Sequence, residues 1–120
     1  MILVDSSIWI DHFRRPDFRL AALLNGAQVL THAFVIGELA LGNFINRNMA
    51  LSLLRDLPRA PLADYDEVME LIDRRSLFSA GIGYVDAHLL ASALLAAPAS
   101  LWTRDKRLQA VAERLEIPIL

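Results

Sequence analysis

Short apolar runs alternate with stretches of helical periodicity along this chain, and that alternation most limits how it can fold. MILV, closed by Asp5, reads as a buried first strand and AQVLTH as a second; APLADY reads as a short strand or loop, SLWT as a fourth strand and IPIL as a terminal one. Helices fill the intervals. SSIWIDHF is a short helix or turn, and DFRLAALLNG is a helix with Asn25-Gly26 as its left-handed stop. Thr31 is placed to cap the helix AFVIGELALGNF, and NRNMALSLLRDLP ends at Pro58. DYDE has capping-box spacing before VMELIDRRSLF, which Gly81 stops; YVDAHLLASALLAA is broken by Pro98, and RDKRLQAVAERLE is a final amphipathic helix. Short apolar strands separated by helices imply an α/β fold whose parallel sheet is covered on both faces. At 120 residues, without repeats or linkers, the chain is expected to form one domain, residues 1–120.

With a net charge of -2 the chain does not bind nucleic acid through bulk charge, so a polyanion needs a local basic patch or metal ions. Eleven of the twelve cations are arginine and one, Lys106, is lysine, a bias that suits bidentate contact with phosphate or carboxylate and equally suits codon usage in a GC-rich genome. The hydrophobic fraction of 55% implies a large core, with apolar surface to spare for a partner. Cysteine is absent, which excludes disulfides and thiolate metal sites. No run of about 20 apolar residues occurs, and the expectation is a soluble, cytoplasmic protein.

Four carboxylates break the hydrophobic pattern. Glu38 falls between Phe34, Val35, Leu41 and Gly42 with no polar stripe to join. Asp86 lies beside Leu90, Ala93 and Leu94, opposite a polar face of Tyr84, His88 and Ser92. Asp5 ends the first strand, and Asp105 follows SLWT by two residues; both stand at carboxyl ends of parallel strands, where open α/β sheets place their ligand sites. Each has a structural explanation: Asp5 as a helix cap, Asp86 and Asp105 as first-turn acids favoured by the helix dipole, Glu38 as a helix-edge residue. Together they are harder to explain away, because an ionised carboxylate removed from water costs several kcal/mol unless paired or bound to a cation. Only Asp105 has basic neighbours, Arg104, Lys106 and Arg107. Oxygen ligands without sulfur, and without a histidine cluster, select a hard ion, Mg²⁺ or Mn²⁺. His12, His32 and His88 are scattered and read as surface or polar-face residues. Such a site suits phosphate chemistry, and nuclease and phosphatase both fit.

MILVDSSIWI, VIGELALG, GYVDAHLLASALL and LWTRDKRL resemble, in order, the four motifs of PIN-domain ribonucleases, most closely the toxins of VapBC-type toxin-antitoxin systems. The resemblance runs from Ile2 to Ile119. It implies a three-layer α/β/α fold with a parallel sheet of four or five strands, and a Mg²⁺- or Mn²⁺-dependent endoribonuclease. By that resemblance Asp5, Glu38 and Asp86 are the metal-binding and catalytic acids and Asp105 a more variable fourth, binding one or two ions whose activated water attacks an RNA phosphodiester. The products would carry a 5′-phosphate and a 3′-hydroxyl. Ser6 and Thr103 match hydroxyl positions that hydrogen-bond a carboxylate or metal-bound water, or simply cap helices. Arg14, Arg15 and Arg104 are candidates to hold flanking phosphates. The implied partners are RNA, a second copy of the chain and a cognate antitoxin, with a higher toxin-antitoxin complex; the segments 46–57 and 64–78 are candidates for the antitoxin groove.

A receiver-type signalling domain also places acids and Mg²⁺ on a small α/β fold, but it needs paired acids after the first strand, where this chain has Ser6-Ser7. A catalytically inactive RNA-binding module of the same fold is opposed by the intact set of four acids. Gly81-Ile82-Gly83 joins two helices, so it is no phosphate-binding loop between strand and helix.

Overall fold

In the computed structural model, which describes residues 1–120, three parallel strands form the sheet: β1 (Ile2–Val4), β2 (Val29–Leu30) and β3 (Ser100–Trp102), in the order β2-β1-β3. Ile2 lies opposite Val29 and Ser100, and Leu3 opposite Leu30 and Leu101. Leu3, Val4 and Leu101 are wholly buried, as strands covered on both faces must be. The two remaining apolar runs flank this sheet but touch it at single bridges, Thr31 with Arg59 on one edge and Leu101 with Ile119 on the other. Pro61 and Pro118 stand in those runs and Pro58 just ahead of the first, and a residue without an N–H cannot extend a ladder.

From β1 the chain passes through α1 (Ser6–Arg14) and α2 (Phe18–Asn25) to β2. It returns through α3 (Ala33–Ala40), α4 (Arg47–Asp56), α5 (Tyr65–Arg74) and α6 (Tyr84–Leu95), passing β1 to reach β3, and α7 (Lys106–Arg114) follows. The first crossover runs from β1 to β2 and the second runs back past β1 to β3, and right-handed crossovers that run in opposite directions put their helices on opposite faces, which gives three layers. The carboxyl end of β1 is therefore a topological switch point, and Asp5 occupies it.

The core is a cluster of 25 buried residues drawn from the strands and every helix except α5, whose Val68 joins Ala63, Ala87 and Ala91 in a second small cluster. Each fully buried leucine, such as Leu20, Leu54, Leu89 or Leu108, stabilises by about 1.5–3 kcal/mol. α6 is buried almost all round, Ala87 to Ala93 without interruption. The face expected to be polar is interior at His88 and Ser92, and His32 is wholly buried as well, so of the three histidines only His12, half-buried, reaches the surface.

Several helix ends differ from expectation for one reason. α2, α5 and α7 each close with paired bonds from the residues after the helix back to its last turn: Gln28 N–H to Leu23 O (2.9 Å), Leu77 N–H to Ile72 O (2.9 Å) and Ile117 N–H to Ala112 O (2.9 Å). The left-handed residue of each is Ala27, Ser76 or Glu116, with φ of 54°, 53° and 63°. Gly26 is therefore not the left-handed stop of α2, and α5 ends well before Gly81. Leu77 carries the apolar period past the end of α5 because the residue after such a cap packs back on the helix. The N-cap of α3 is His32, whose Nδ1 accepts from the Phe34 N–H (3.0 Å), rather than Thr31. Thr31 is held in the sheet edge by backbone bonds to Pro58 and Ala60, so the helix starts one residue later.

Candidate active site

Asp5 is buried at the end of β1, and both its oxygens are engaged. Oδ1 accepts from the Ser6 N–H (2.7 Å), which caps α1; Oδ2 accepts from the hydroxyls of Thr103 (2.7 Å) and Ser7 (3.0 Å). Thr103 follows β3, and its Oγ1 also accepts from the Asp105 N–H (3.1 Å), so one hydroxyl ties the ends of the two paired strands together. Ser7 was not singled out in the sequence, although its spacing of two from Asp5 was a usable signal. Its hydroxyl also accepts from the Arg104 N–H (3.2 Å).

Ser6 reaches the other way, donating its hydroxyl to Glu38 Oε1 (3.3 Å) on α3. Glu38 itself lies on the exposed side of α3, not in the core, and no atom would lie within 4 Å of a Cβ at its neighbour Gly37, which leaves the space beside it open. Glycine 37 thus has no packing role. Asp86 is half-buried in the first turn of α6 and accepts from the Gly83 N–H (3.2 Å) through Oδ2. Asp105 caps α7, its Oδ1 accepting from the N–H groups of Arg107 (2.9 Å) and Leu108 (3.2 Å). No ion pair joins it to Lys106 or Arg107; its charge is spent on backbone N–H groups instead.

The acids act on one another through their charges. Partial desolvation first, then the Asp5 carboxylate and, less strongly, Asp86, raise the Glu38 carboxyl above its ordinary range, against the Ser6 hydrogen bond. Asp86 is raised by desolvation, with Asp5 and Asp105 adding repulsion and the Gly83 N–H opposing it. No cation appears among these influences. A carboxyl whose pKa is raised on folding holds its proton more tightly in the folded state, so its contribution favours folding when protonated and is lost as pH rises through the raised value. In chelator, therefore, Glu38→Gln is expected to match the parent's thermal midpoint near pH 4 and to exceed it increasingly as pH rises past Glu38's ordinary 4.5 towards neutrality. Parallel midpoints across that range in a thermal-melt series would contradict the repulsion.

The donor set fits a hard divalent cation: carboxylate and hydroxyl oxygens, mutual repulsion and no basic side chain to relieve it. No three acidic or histidine side chains stand close enough together to hold a metal ion by themselves. That suits Mg²⁺, which keeps several waters and takes one or two carboxylates together with substrate phosphate. Of the candidate arginines, Arg104 pairs with Asp11 and lies 3.7 Å from Asp17, while Arg14 and Arg15 are exposed and unpaired. All three line one depression with Asp11, Pro16 and Asp17. A separate apolar groove of about 570 Å³ runs between α1, α2 and α4, lined by Trp9, Phe13, Leu24, Ile45, Met49 and Leu53 among others; α5 contributes nothing to it. No helix is long and apolar enough to cross a membrane.

Comparison with known proteins accords with this geometry. The pattern that defines the PIN domain matches residues 2–114. The chain is 50% identical over 110 residues to proteins named Ribonuclease VapC32 in two strains of Mycobacterium tuberculosis, CDC 1551 / Oshkosh and ATCC 25618 / H37Rv, covering 92% of this chain and 89% of each relative.

Proposed function

The chain belongs to the PIN-domain family and is a VapC-type toxin by its relatives, and from that premise we propose that it is a Mg²⁺- or Mn²⁺-dependent endoribonuclease whose metal is held by Asp5, Glu38 and Asp86, with Asp105 at the margin. The observation that supports the reading is that Asp5, Glu38 and Asp86, carried by β1, α3 and α6, act on one another's charge with no cation among the groups acting on Glu38 and Asp86, while the Ser6 hydroxyl stands between Asp5 Oδ1 (3.4 Å) and Glu38 Oε1 (3.3 Å). Family membership also removes the receiver-type alternative.

When bound, the ion supplies Lewis acidity, lowering the pKa of a water and offsetting charge on the phosphodiester. The chain's own groups do the rest. Thr103, Ser7 and the Ser6 N–H fix the Asp5 carboxylate so that its direction is set before substrate arrives. The Ser6 hydroxyl steadies Glu38 without neutralising it. Asp86 and Asp105 each leave one carboxylate oxygen without a protein partner, facing ligand chemistry rather than a salt bridge. Arg14 and Arg15 are the cations open to flanking phosphates, and Arg104 joins them on releasing Asp11.

The partners follow from the same reading. A cognate antitoxin takes the α1/α2/α4 groove, so that of the two segments expected to form it only 46–57 does. Homodimerisation, and assembly with antitoxin into a larger complex, would cover exposed apolar side chains outside that groove, such as Leu62, Tyr65 and Phe78. The test is incubation of the protein and its Glu38→Gln variant with total RNA in Mg²⁺, in Mn²⁺ and in chelator, with sequencing of new 5′ ends. Cleavage is expected from the parent with metal alone. Equal cleavage by the variant, or cleavage in chelator, would refute the mechanism; RNA binding without cleavage would favour the inactive RNA-binding module.

A further inference from the structure

The helices that carry Glu38 and Asp86 meet through a buried polar seam. His32 Nε2 lies 2.9 Å from the Ser92 hydroxyl of α6, and both residues are wholly buried. His32 Nδ1 accepts from the Phe34 N–H, so the ring carries its proton on Nε2 and donates it to Ser92. Burial above all pushes the ring's pKa down to about 4, which keeps it neutral and holds that tautomer at neutral pH. Two residues along from His32, the Phe34 ring meets the His88 ring edge-on, centroids 4.5 Å apart, and the Tyr84 ring meets His88 edge-on as well, at 4.8 Å.

The pairings run in opposite senses, residue 32 with 92 and 34 with 88, and further along the same two helices stand Glu38, four residues beyond Phe34, and Asp86, two before His88, the Asp86 charge helping to raise the Glu38 carboxyl. The two acids repel, while the steps before them attract. One ring thus performs two separable tasks, starting α3 through Nδ1 and fastening it to α6 through Nε2.

We propose that His32 and Ser92 are positioning residues for the metal site, their hydrogen bond setting the separation of Glu38 and Asp86 against the repulsion between those acids. The inference rests on the reading of Glu38 and Asp86 as metal ligands. It predicts that the tie matters to metal affinity even where the helix start is intact.

Asparagine presents its amide where imidazole has Nδ1, and glutamine where it has Nε2, so the two tasks can be separated. His32→Asn keeps a cap for Phe34 and loses Ser92; His32→Gln keeps the tie and loses the cap. Ser92→Ala removes the tie from the other helix with little change in volume. Binding of Mn²⁺ alone to the full chain, measured by calorimetry or by the electron paramagnetic resonance of the free ion, is expected to weaken by about 10-fold or more in His32→Asn and Ser92→Ala, and to stay near the parent in His32→Gln. The double variant His32→Asn/Ser92→Ala should be no worse than either single one.

Parent-like binding in His32→Asn and Ser92→Ala, while Glu38→Gln and Asp86→Asn lose Mn²⁺, would overturn the tie and leave the proposed function standing. Equal loss in His32→Asn and His32→Gln, tracking their thermal midpoints, would reduce His32 to a structural residue and also overturn it. Parent-like binding in Glu38→Gln and Asp86→Asn would remove the ligand reading itself, and the inference with it. Should His32→Asn fail to fold by circular dichroism, Ser92→Ala and His32→Gln decide the matter between them.

Discussion

Asp5→Asn is expected to lower RNA cleavage by on the order of 10²–10³-fold or more while leaving the fold intact. Asparagine keeps an acceptor for the Ser6 N–H that starts α1, and the hydroxyls of Ser7 and Thr103 can turn to meet its amide. What it loses is the charge that the cleft is built around. The same charge raises Glu38 and Asp86, so its removal should return both towards ordinary carboxylate values and spare the protein some of their repulsion. The variant is therefore expected to melt no lower than the parent in chelator, and to respond less to added Mg²⁺ or Mn²⁺. A labelled-RNA cleavage assay and thermal melts check both halves. Cleavage within about tenfold of the parent would mean that Asp5 is chiefly the cap of α1 and that the acidic cleft is organised around other groups.

The strands at the heart of the sheet were legible because continuous apolar runs have few other uses in a chain this size, and Asp5 could be placed at the end of the first from that fact alone. The edge segments were less so. Prolines at 58, 61 and 118 permit a strand-like course but deny the ladder, and the sequence does not say which prevails. Glu38 shows the limit of periodicity more sharply. Its apolar neighbourhood suggested burial, yet Leu41 is 91% exposed and Ile45 87%, so apolar company there marks an open face of the molecule rather than the core. His32, His88 and Ser92 misled in the opposite direction. Polar side chains were read as surface, whereas His32 and Ser92 satisfy each other inside and aromatic rings enclose His88. Pairing between α3 and α6, 60 residues apart in sequence, leaves no local trace. Asp105 was ambiguous for a different reason: capping a helix and facing a ligand ask for the same residue at the same place, and the structure has it doing the first with one oxygen while the other stays free.

Charge placed in the α1/α2/α4 groove is expected to separate inhibition from catalysis. Met49 and Leu53 are one turn apart on α4, 66% and 63% exposed, and line the groove with Trp9, Phe13, Leu24 and Ile45. An apolar recess of about 570 Å³ suits side chains from one face of an amphipathic segment. Trp9 also lines the groove, and its indole N–H is buried without a hydrogen-bond partner. Because Met49 and Leu53 already face solvent, Met49→Glu/Leu53→Glu should shift stability only slightly, by roughly 0.5 kcal/mol at each position. Against an apolar partner the same carboxylates must be desolvated without a counter-charge, and the affinity for the cognate antitoxin should fall on the order of 10²-fold. None of the acids of the cleft lines the groove, so cleavage by the free protein should be unaltered. Titration of antitoxin into a cleavage assay reads both effects at once: the double variant should cleave like the parent and resist inhibition. Inhibition at parent concentrations would show that the antitoxin binds elsewhere, and loss of cleavage without antitoxin would show that the groove and the acidic cleft are mechanically one.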